Sequence, residues 1–124
     1  MRIVLADREA DLMEVLWDYG PSTVTEVRDR LKVDLAYNTV LSVLRTLETK
    51  GYVLHEEEGR AHRYEAKIER ESARHSALRQ LSAKLFKGSV ALLLTSAVAD
   101  KELSPDEIKK IRQILDERAK GGKS

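Results

Sequence analysis

The sequence predicts a mainly α-helical protein with a small β-wing, namely a winged helix-turn-helix followed by a helical dimerisation segment. Three observations predict this fold class. Apolar residues recur at helical spacing in three short segments within residues 7–50. Two β-prone segments separated by turn residues follow within residues 52–66. From residue 68 onward the apolar spacing is helical again. We therefore expect a winged-helix domain at 1–67 and a three-helix dimerisation domain at 68–124.

Composition excludes several classes of protein. The 124 residues include no cysteine, which excludes a disulfide framework, a thiolate metal site and a cysteine nucleophile. The longest apolar run, Val90–Leu94, is too short to cross a bilayer, so no membrane insertion is expected. The N-terminus also lacks an apolar segment of signal-peptide length. We therefore expect a cytoplasmic protein.

Charge is unevenly distributed, although the net charge is only +1. Residues 1–66 carry nine basic and thirteen acidic side chains, which gives a net charge of −4. Residues 67–124 carry thirteen basic and eight acidic side chains, which gives +5. A nucleic-acid site in the first half would therefore depend on local clustering of Lys and Arg.

The first two helices are predicted from their ends. Asp7 is a good N-cap residue, and the first helix is expected to run to about Tyr19, where a Gly-Pro pair ends it. Thr23 and Glu26 form a capping box, in which each side chain bonds the other residue's backbone N–H. A second helix of barely two turns follows.

The third helix is expected at about Tyr37–Lys50 and carries the candidate nucleic-acid site. Its outward face is short, polar and partly basic, as entry into a DNA major groove requires. Arg45 can pair bidentately with guanine, and Asn38 can pair with adenine. The alternative is an ordinary solvated helix face. The buried stripe is Val40, Val43, Leu44 and Leu47, and the outward residues are Asn38, Ser42, Arg45 and Thr49.

A β-hairpin is predicted after the third helix, with strands at 52–55 and 61–66 and a turn at 57–60. Arg60 and Arg63 are candidate DNA contacts, but both can instead pair with the acids at 56–58. His62 shares a strand face with Tyr64, which we expect in the core, so His62 can lie packed at an edge. The candidate DNA-binding residues are Thr23, Tyr37, Asn38, Thr39, Ser42, Arg45, Thr46, Lys50, Arg60, His62 and Arg63.

Three helices are predicted beyond residue 68, at about 70–87, 90–99 and from Pro105 onward, the last after a capping box of Ser104 and Glu107. About fifty residues are too few for a comfortable core of their own. The apolar stripes of these helices therefore need a partner surface, and because closed two-fold pairs are the commonest oligomers, we expect a homodimer. The candidate dimerisation residues are Leu78, Leu81, Leu85, Phe86, Val90, Leu93, Leu94, Val98, Ile108, Ile111 and Leu115.

Catalysis is not predicted. The chain has no P-loop, no GxGxxG and no GxSxG motif. His55 and His62 can face each other across the hairpin, but no carboxylates at ligand spacing accompany them, so we predict no metal and no cofactor. Two alternatives to DNA binding stay open. One is an adaptor that uses the same fold to dock a partner protein, and the other, more distant, is a metal-dependent enzyme.

Three stretches resemble the penicillinase-repressor family, the BlaI/MecI/CopY group of bacterial transcriptional regulators. They are residues 5–27 (LADREADLMEVLWDYGPSTVTEV), residues 36–66 (AYNTVLSVLRTLETKGYVLHEEEGRAHRYEA) and residues 85–117 (LFKGSVALLLTSAVADKELSPDEIKKIRQILDE). The most specific pattern is Tyr37-x-Thr39-Val40, Leu44-x-x-Leu47-x-x-Lys50-Gly51 and Gly59-Arg60-x-x-Arg63-Tyr64.

The resemblance implies a homodimeric repressor that binds palindromic operators and whose intertwined C-terminal helices form the dimer. In antibiotic-responsive members a membrane sensor-protease triggers cleavage of the C-terminal part, which destroys the dimer. The copper-responsive branch carries a C-terminal cysteine motif, which this chain lacks.

One position departs from the family pattern. The family usually has Arg immediately before the leucine that corresponds to Leu47, whereas this chain has Thr46 there and Arg45 one position earlier. One residue along a helix rotates the charge by about 100°, so the base or phosphate it meets can differ. The operator sequence is therefore not carried over.

Overall fold

The computed structural model describes residues 2–121 and divides the chain into two compact units, residues 1–77 and 78–124. The described part is mostly helical with one small antiparallel sheet, so the predicted fold class is confirmed. The elements are α1 (Asp7–Tyr19), β1 (Ser22–Thr23), α2 (Val24–Arg30), α3 (Tyr37–Thr49), β2 (Val53–Glu58), β3 (Ala61–Ala66), α4 (Arg70–Leu85), α5 (Val90–Val98) and α6 (Pro105–Gly121).

The sheet has three strands in the order β1-β3-β2, where the sequence predicted only a hairpin. Ser22 and Thr23 pair with Tyr64 and Arg63, and a two-residue strand is too short to show any periodicity. The hairpin turn is also tighter than predicted. Glu58 is the last residue of β2 and pairs with Ala61, so the turn consists of two residues, beginning with Gly59 at a φ of 62°.

Every helix of the first unit and the sheet contribute side chains to its core. Tyr64 is buried at 1% exposure, as predicted, and Val43 is half-buried at the edge of its predicted stripe. Ile68 and Ala73 also belong to this core, so the first turns of α4 complete the first unit. Other buried residues of this core include Leu12, Met13, Leu16, Val27, Val40, Leu44, Leu47 and Val53.

Two of the three predicted helix caps are present in the structure. Thr23 and Glu26 bond each other's backbone N–H at 3.2 and 2.9 Å, and Ser104 and Glu107 do so at 3.1 and 2.9 Å. The first helix differs from the prediction. Asp7 is already its first residue and Ala6 is the cap, which has no capping side chain. The Glu9 carboxylate accepts the Ala6 N–H at 2.7 Å, so it supplies only the half of a capping box that bonds the cap residue's own N–H.

The second unit buries very little. Among residues 78–121 only Ser82 is buried, and no apolar side chain is. No single helix within residues 2–121 is long and apolar enough to span a bilayer. The pair α4 and α5 reaches that length and composition only together, and the chain bends by 92° between them.

Candidate nucleic-acid interface

The outward face of α3 forms a shallow groove, here called the helix groove. Thr46 and Thr49 donate their hydroxyl hydrogens to the backbone carbonyls of Ser42 and Arg45, at 3.1 and 3.0 Å. Their oxygens still accept hydrogen bonds, so the face offers mixed donors and acceptors around the Arg45 guanidinium. The lining residues are Asn38, Leu41, Ser42, Arg45, Thr46 and Thr49.

A second groove, the wing groove, lies between α3, the start of α2 and the β-hairpin. Arg45 and Leu41 line both grooves, so the two are one continuous surface. Arg60 enters from the hairpin turn, and His62 enters from β3. The lining residues are Thr23, Val24, Thr25, Tyr37, Leu41, Arg45, Arg60, Ala61 and His62.

Eight of the eleven predicted DNA-binding residues therefore lie on this one surface, which is drawn from four elements and the hairpin turn. The other three lie elsewhere. Thr39 is exposed on α3 but lines neither groove, and Lys50 and Arg63 are held by carboxylates. Whether each of the eleven contacts DNA stays a prediction.

Arg63 lies on the opposite strand face from His62, as the alternation of β3 requires. Its guanidinium bonds Glu58, lies 3.1 Å from Oε1 of Glu26, and donates to the Pro21 carbonyl at 3.0 Å. The hydrogen bond to Glu58 raises the pKa of Arg63. The pairing with hairpin acids that the sequence left open is thus present, with Glu26 of α2 as an additional partner.

Lys50 follows the last turn of α3 and contacts α1. Its Nζ lies 2.7 Å from Oε1 of Glu9, whose side chain is only 7% exposed. The sequence did not indicate Glu9 as the partner of Lys50, because 41 residues separate the two. This buried carboxylate ties the beginning of α1 to the end of α3.

Acidic side chains are excluded from the surface formed by both grooves. No Asp or Glu is among the residues that line them, whereas Arg45 and Arg60 are. Several acids of the first unit instead pair with basic side chains outside the grooves: Asp11 with Arg8, Glu9 with Lys50, Glu14 and Asp18 with Arg70, and Glu26 with Arg63. The surface formed by both grooves therefore carries two arginines and no carboxylate, although the first half of the chain is acidic overall.

Histidines stack beside the wing groove. The rings of His55 and His62 face each other, as the sequence suggested, with centroids 4.5 Å apart. Among residues 2–121 no group of three or more His, Asp or Glu side chains is placed to hold a metal ion.

The predicted dimerisation residues occupy the exposed apolar faces of α4, α5 and α6. Leu92 and Ile114 are exposed as well, at 44% and 58%, although neither is among the predicted dimerisation residues. Seven predicted residues are exposed, namely Leu78, Leu81, Leu85, Val90, Leu94, Val98 and Leu115, and four are half-buried, namely Phe86, Leu93, Ile108 and Ile111. Their contact with a second chain stays a prediction.

Comparison with known proteins identifies relatives among transcriptional regulators. The transcriptional regulator BlaI of Mycobacterium tuberculosis is 44% identical over 63 residues, which are 48% of this chain and 46% of that protein. The methicillin resistance regulatory protein MecI of Staphylococcus aureus is 20% identical over 92% of this chain and 94% of its own length. The penicillinase repressor of Bacillus licheniformis is 27% identical over 91% of this chain and 90% of its own.

Solved structures support the fold. A MarR family protein from Bacillus stearothermophilus superposes with a TM-score of 0.52 at 16% identity, covering 98% of this chain and 78% of that one. A transcriptional regulator from Thermotoga maritima gives 0.51 at 19% identity, covering 92% and 78%. The model of the penicillinase repressor family matches residues 5–117. The chain therefore belongs to the penicillinase repressor family, whose members are DNA-binding transcriptional repressors and not enzymes.

Proposed function

We propose that the chain is a cytoplasmic, homodimeric repressor that binds palindromic DNA operators. One observation carries the proposal: eight of the predicted residues form a single surface that contains Arg45 and Arg60 and no acidic side chain. A surface of this composition suits a polyanion, and the polar groups of α3 suit base edges. The acids that give the first half its negative charge lie outside it.

In this proposal α3 enters the major groove of the DNA, and the β-hairpin lies along the sugar-phosphate backbone. Arg45 lies where the helix groove and the wing groove meet, so its guanidinium can form a bidentate pair with a guanine edge. Arg60 and the hydroxyls of Thr23 and Ser42 position the domain through phosphates. Selectivity then comes from α3, and much of the affinity comes from the phosphate contacts.

Dimerisation is supported by the apolar surface of the second unit. Residues 78–121 expose nine large apolar side chains, whereas residues 2–77 expose three. Burying one such side chain contributes on the order of 1 kcal/mol or more, so nine on each protomer can outweigh the cost of association. A closed two-fold pair joins two DNA-binding units, and a palindromic operator follows from that symmetry.

Release of DNA would follow from damage to the second unit. Dimerisation makes the binding of the second half-site an intramolecular step. Cutting or loosening α4–α6 removes that link and so lowers the affinity for the whole operator. Similarity to methicillin and penicillinase regulators supports control of antibiotic resistance. As the trigger of cleavage we propose a membrane sensor-protease, which is what the resemblance of the sequence to the family implies.

Selection from a pool of random duplexes tests the proposal. The full chain should enrich one sequence with two-fold symmetry, with half-sites about 10 base pairs apart or a multiple of that spacing. The adaptor alternative predicts that no sequence is enriched. Enrichment of an unrepeated site by the full chain would contradict the homodimer.

A further inference from the structure

Three aromatic rings form a row that leads from the core of the first unit to the wing groove, in which the outer two are stacked and the inner two are tilted by 41°. Tyr64 is buried at its base, and the His55 ring lies 5.3 Å from it between centroids. The His62 ring then lies 4.5 Å from His55, at an interplanar angle of 16°. Only His62, at the outer end, lines the wing groove.

The His55 ring, the middle one of the three, is held by a side chain of α3. Nδ1 of His55 lies 2.6 Å from Oε2 of Glu48, so the Nδ1–H donates to the carboxylate. Both side chains are about one-third exposed, at 31% and 33%. A charge-assisted hydrogen bond of this length restrains both the tilt and the tautomer of the imidazole. The ring that stacks on it is restrained in turn.

We propose that Glu48 and His55 are positioning residues that hold the imidazole of His62 at the wing groove, where it contacts DNA. The inference rests on the proposed function. The contact joins β2 of the hairpin to α3, so the carboxylate that orients His62 lies on the same helix as Arg45. Neither Glu48 nor His55 lines a groove, so both act through His62.

The direction in which Glu48→Ala changes the affinity for DNA distinguishes this positioning role from a purely electrostatic effect. Replacing Glu48 by Ala removes a negative charge close to the DNA surface, which by itself strengthens binding to a polyanion. The positioning role predicts the opposite. A misplaced His62 loses about one hydrogen bond, so Glu48→Ala should weaken binding by about threefold to tenfold.

The experiment measures the affinity of full-chain variants for the duplex that the wild type selects. Glu48→Gln keeps an acceptor for the His55 Nδ1–H and should stay within about twofold of the wild type. His62→Ala should lose at least as much affinity as Glu48→Ala, and the double variant should lose no more than His62→Ala alone. Glu56→Ala, which removes a carboxylate from the opposite face of β2, is the matched control for charge and should not weaken binding.

Three results would overturn the inference while leaving the proposed function intact: Glu48→Ala binding as tightly as the wild type, His62→Ala binding unchanged, or losses that multiply in the double variant. Thermal unfolding of each variant shows whether a loss of binding reflects a loss of folding. If the wild type selects no duplex at all, the proposed function fails first and this inference fails with it.

Discussion

At the scale of single residues, ion pairs decide which basic side chains are available to DNA. Four basic side chains were candidate DNA contacts from the sequence, namely Arg45, Lys50, Arg60 and Arg63. In the structure Arg63 is held by Glu26 and Glu58, and Lys50 is held by Glu9. The sequence did suggest a hairpin partner for Arg63. It did not indicate Glu9, because an ion pair between residues 41 positions apart leaves no local pattern.

Arg45→Ala should weaken binding to the selected duplex by about 1–3 kcal/mol, because a bidentate base contact is lost. Arg45→Lys keeps the charge but not the planar fork, so it should retain non-specific affinity and lose discrimination between bases. Fluorescence anisotropy titrations against selected and scrambled duplexes measure both quantities.

The control for this prediction is Arg74→Ala, which removes the same charge from an exposed position of α4 outside both grooves. We expect its affinity to stay close to that of the wild type. An Arg45→Ala variant that binds as well as this control would remove Arg45 from DNA recognition.

At the scale of elements, the helices and the hairpin were predictable because each shows a period and an end signal. Both capping boxes were confirmed, and the buried stripe of α3 was confirmed except at Val43, which is half-buried. The strand β1 was not predictable, because it has only two residues, one of which is the cap of α2, and the partner of Thr23 lies 40 residues away. The groove between α2 and the wing depends on that pairing, so its shape could not be derived from the sequence.

Thr23→Ala should lower the free energy of unfolding by about 1 kcal/mol, because the Glu26 N–H at the start of α2 loses its acceptor. Thr25→Ala is the matched control, since Thr25 is an exposed residue within the same helix. Urea unfolding of the full chain measures the difference. Equal stabilities for the two variants would show that the cap does not stabilise the folded chain.

Lowering the pH should lower the free energy of unfolding, in part because Glu26 becomes protonated. Its carboxylate accepts the Thr23 N–H and faces Arg63 and Arg30, which lowers its pKa in the folded chain below the ordinary value. The stabilisation is therefore present above the ordinary pKa and is lost as the pH falls through the lowered one.

Glu26→Gln should remove this part of the acid dependence, which is measured by comparing urea unfolding at neutral pH with unfolding at about pH 3. Glu56→Gln on the exposed part of β2 is the control for charge. An acid dependence in Glu26→Gln equal to that of the wild type would contradict this role.

At the scale of the whole molecule, the two units differ in how they bury apolar side chains. The first unit has a core of its own, which includes Ile68 and Ala73 beyond the predicted boundary at 67. In the second unit the sequence correctly indicated apolar stripes, and the described residues leave nine large apolar side chains exposed. Periodicity reveals an apolar stripe but not the surface that covers it, so the stripes were predictable from the sequence and the covering surface was not.

The most direct test of the account compares the full chain with the fragment 1–77 on the selected duplex. The fragment keeps the core of the first unit and both grooves. Analytical ultracentrifugation and anisotropy should show two full chains on each duplex, and the fragment should bind at least about 100-fold more weakly as independent monomers. A fragment that is folded by circular dichroism and binds as tightly as the full chain would contradict the claim that the second unit links two weak half-sites.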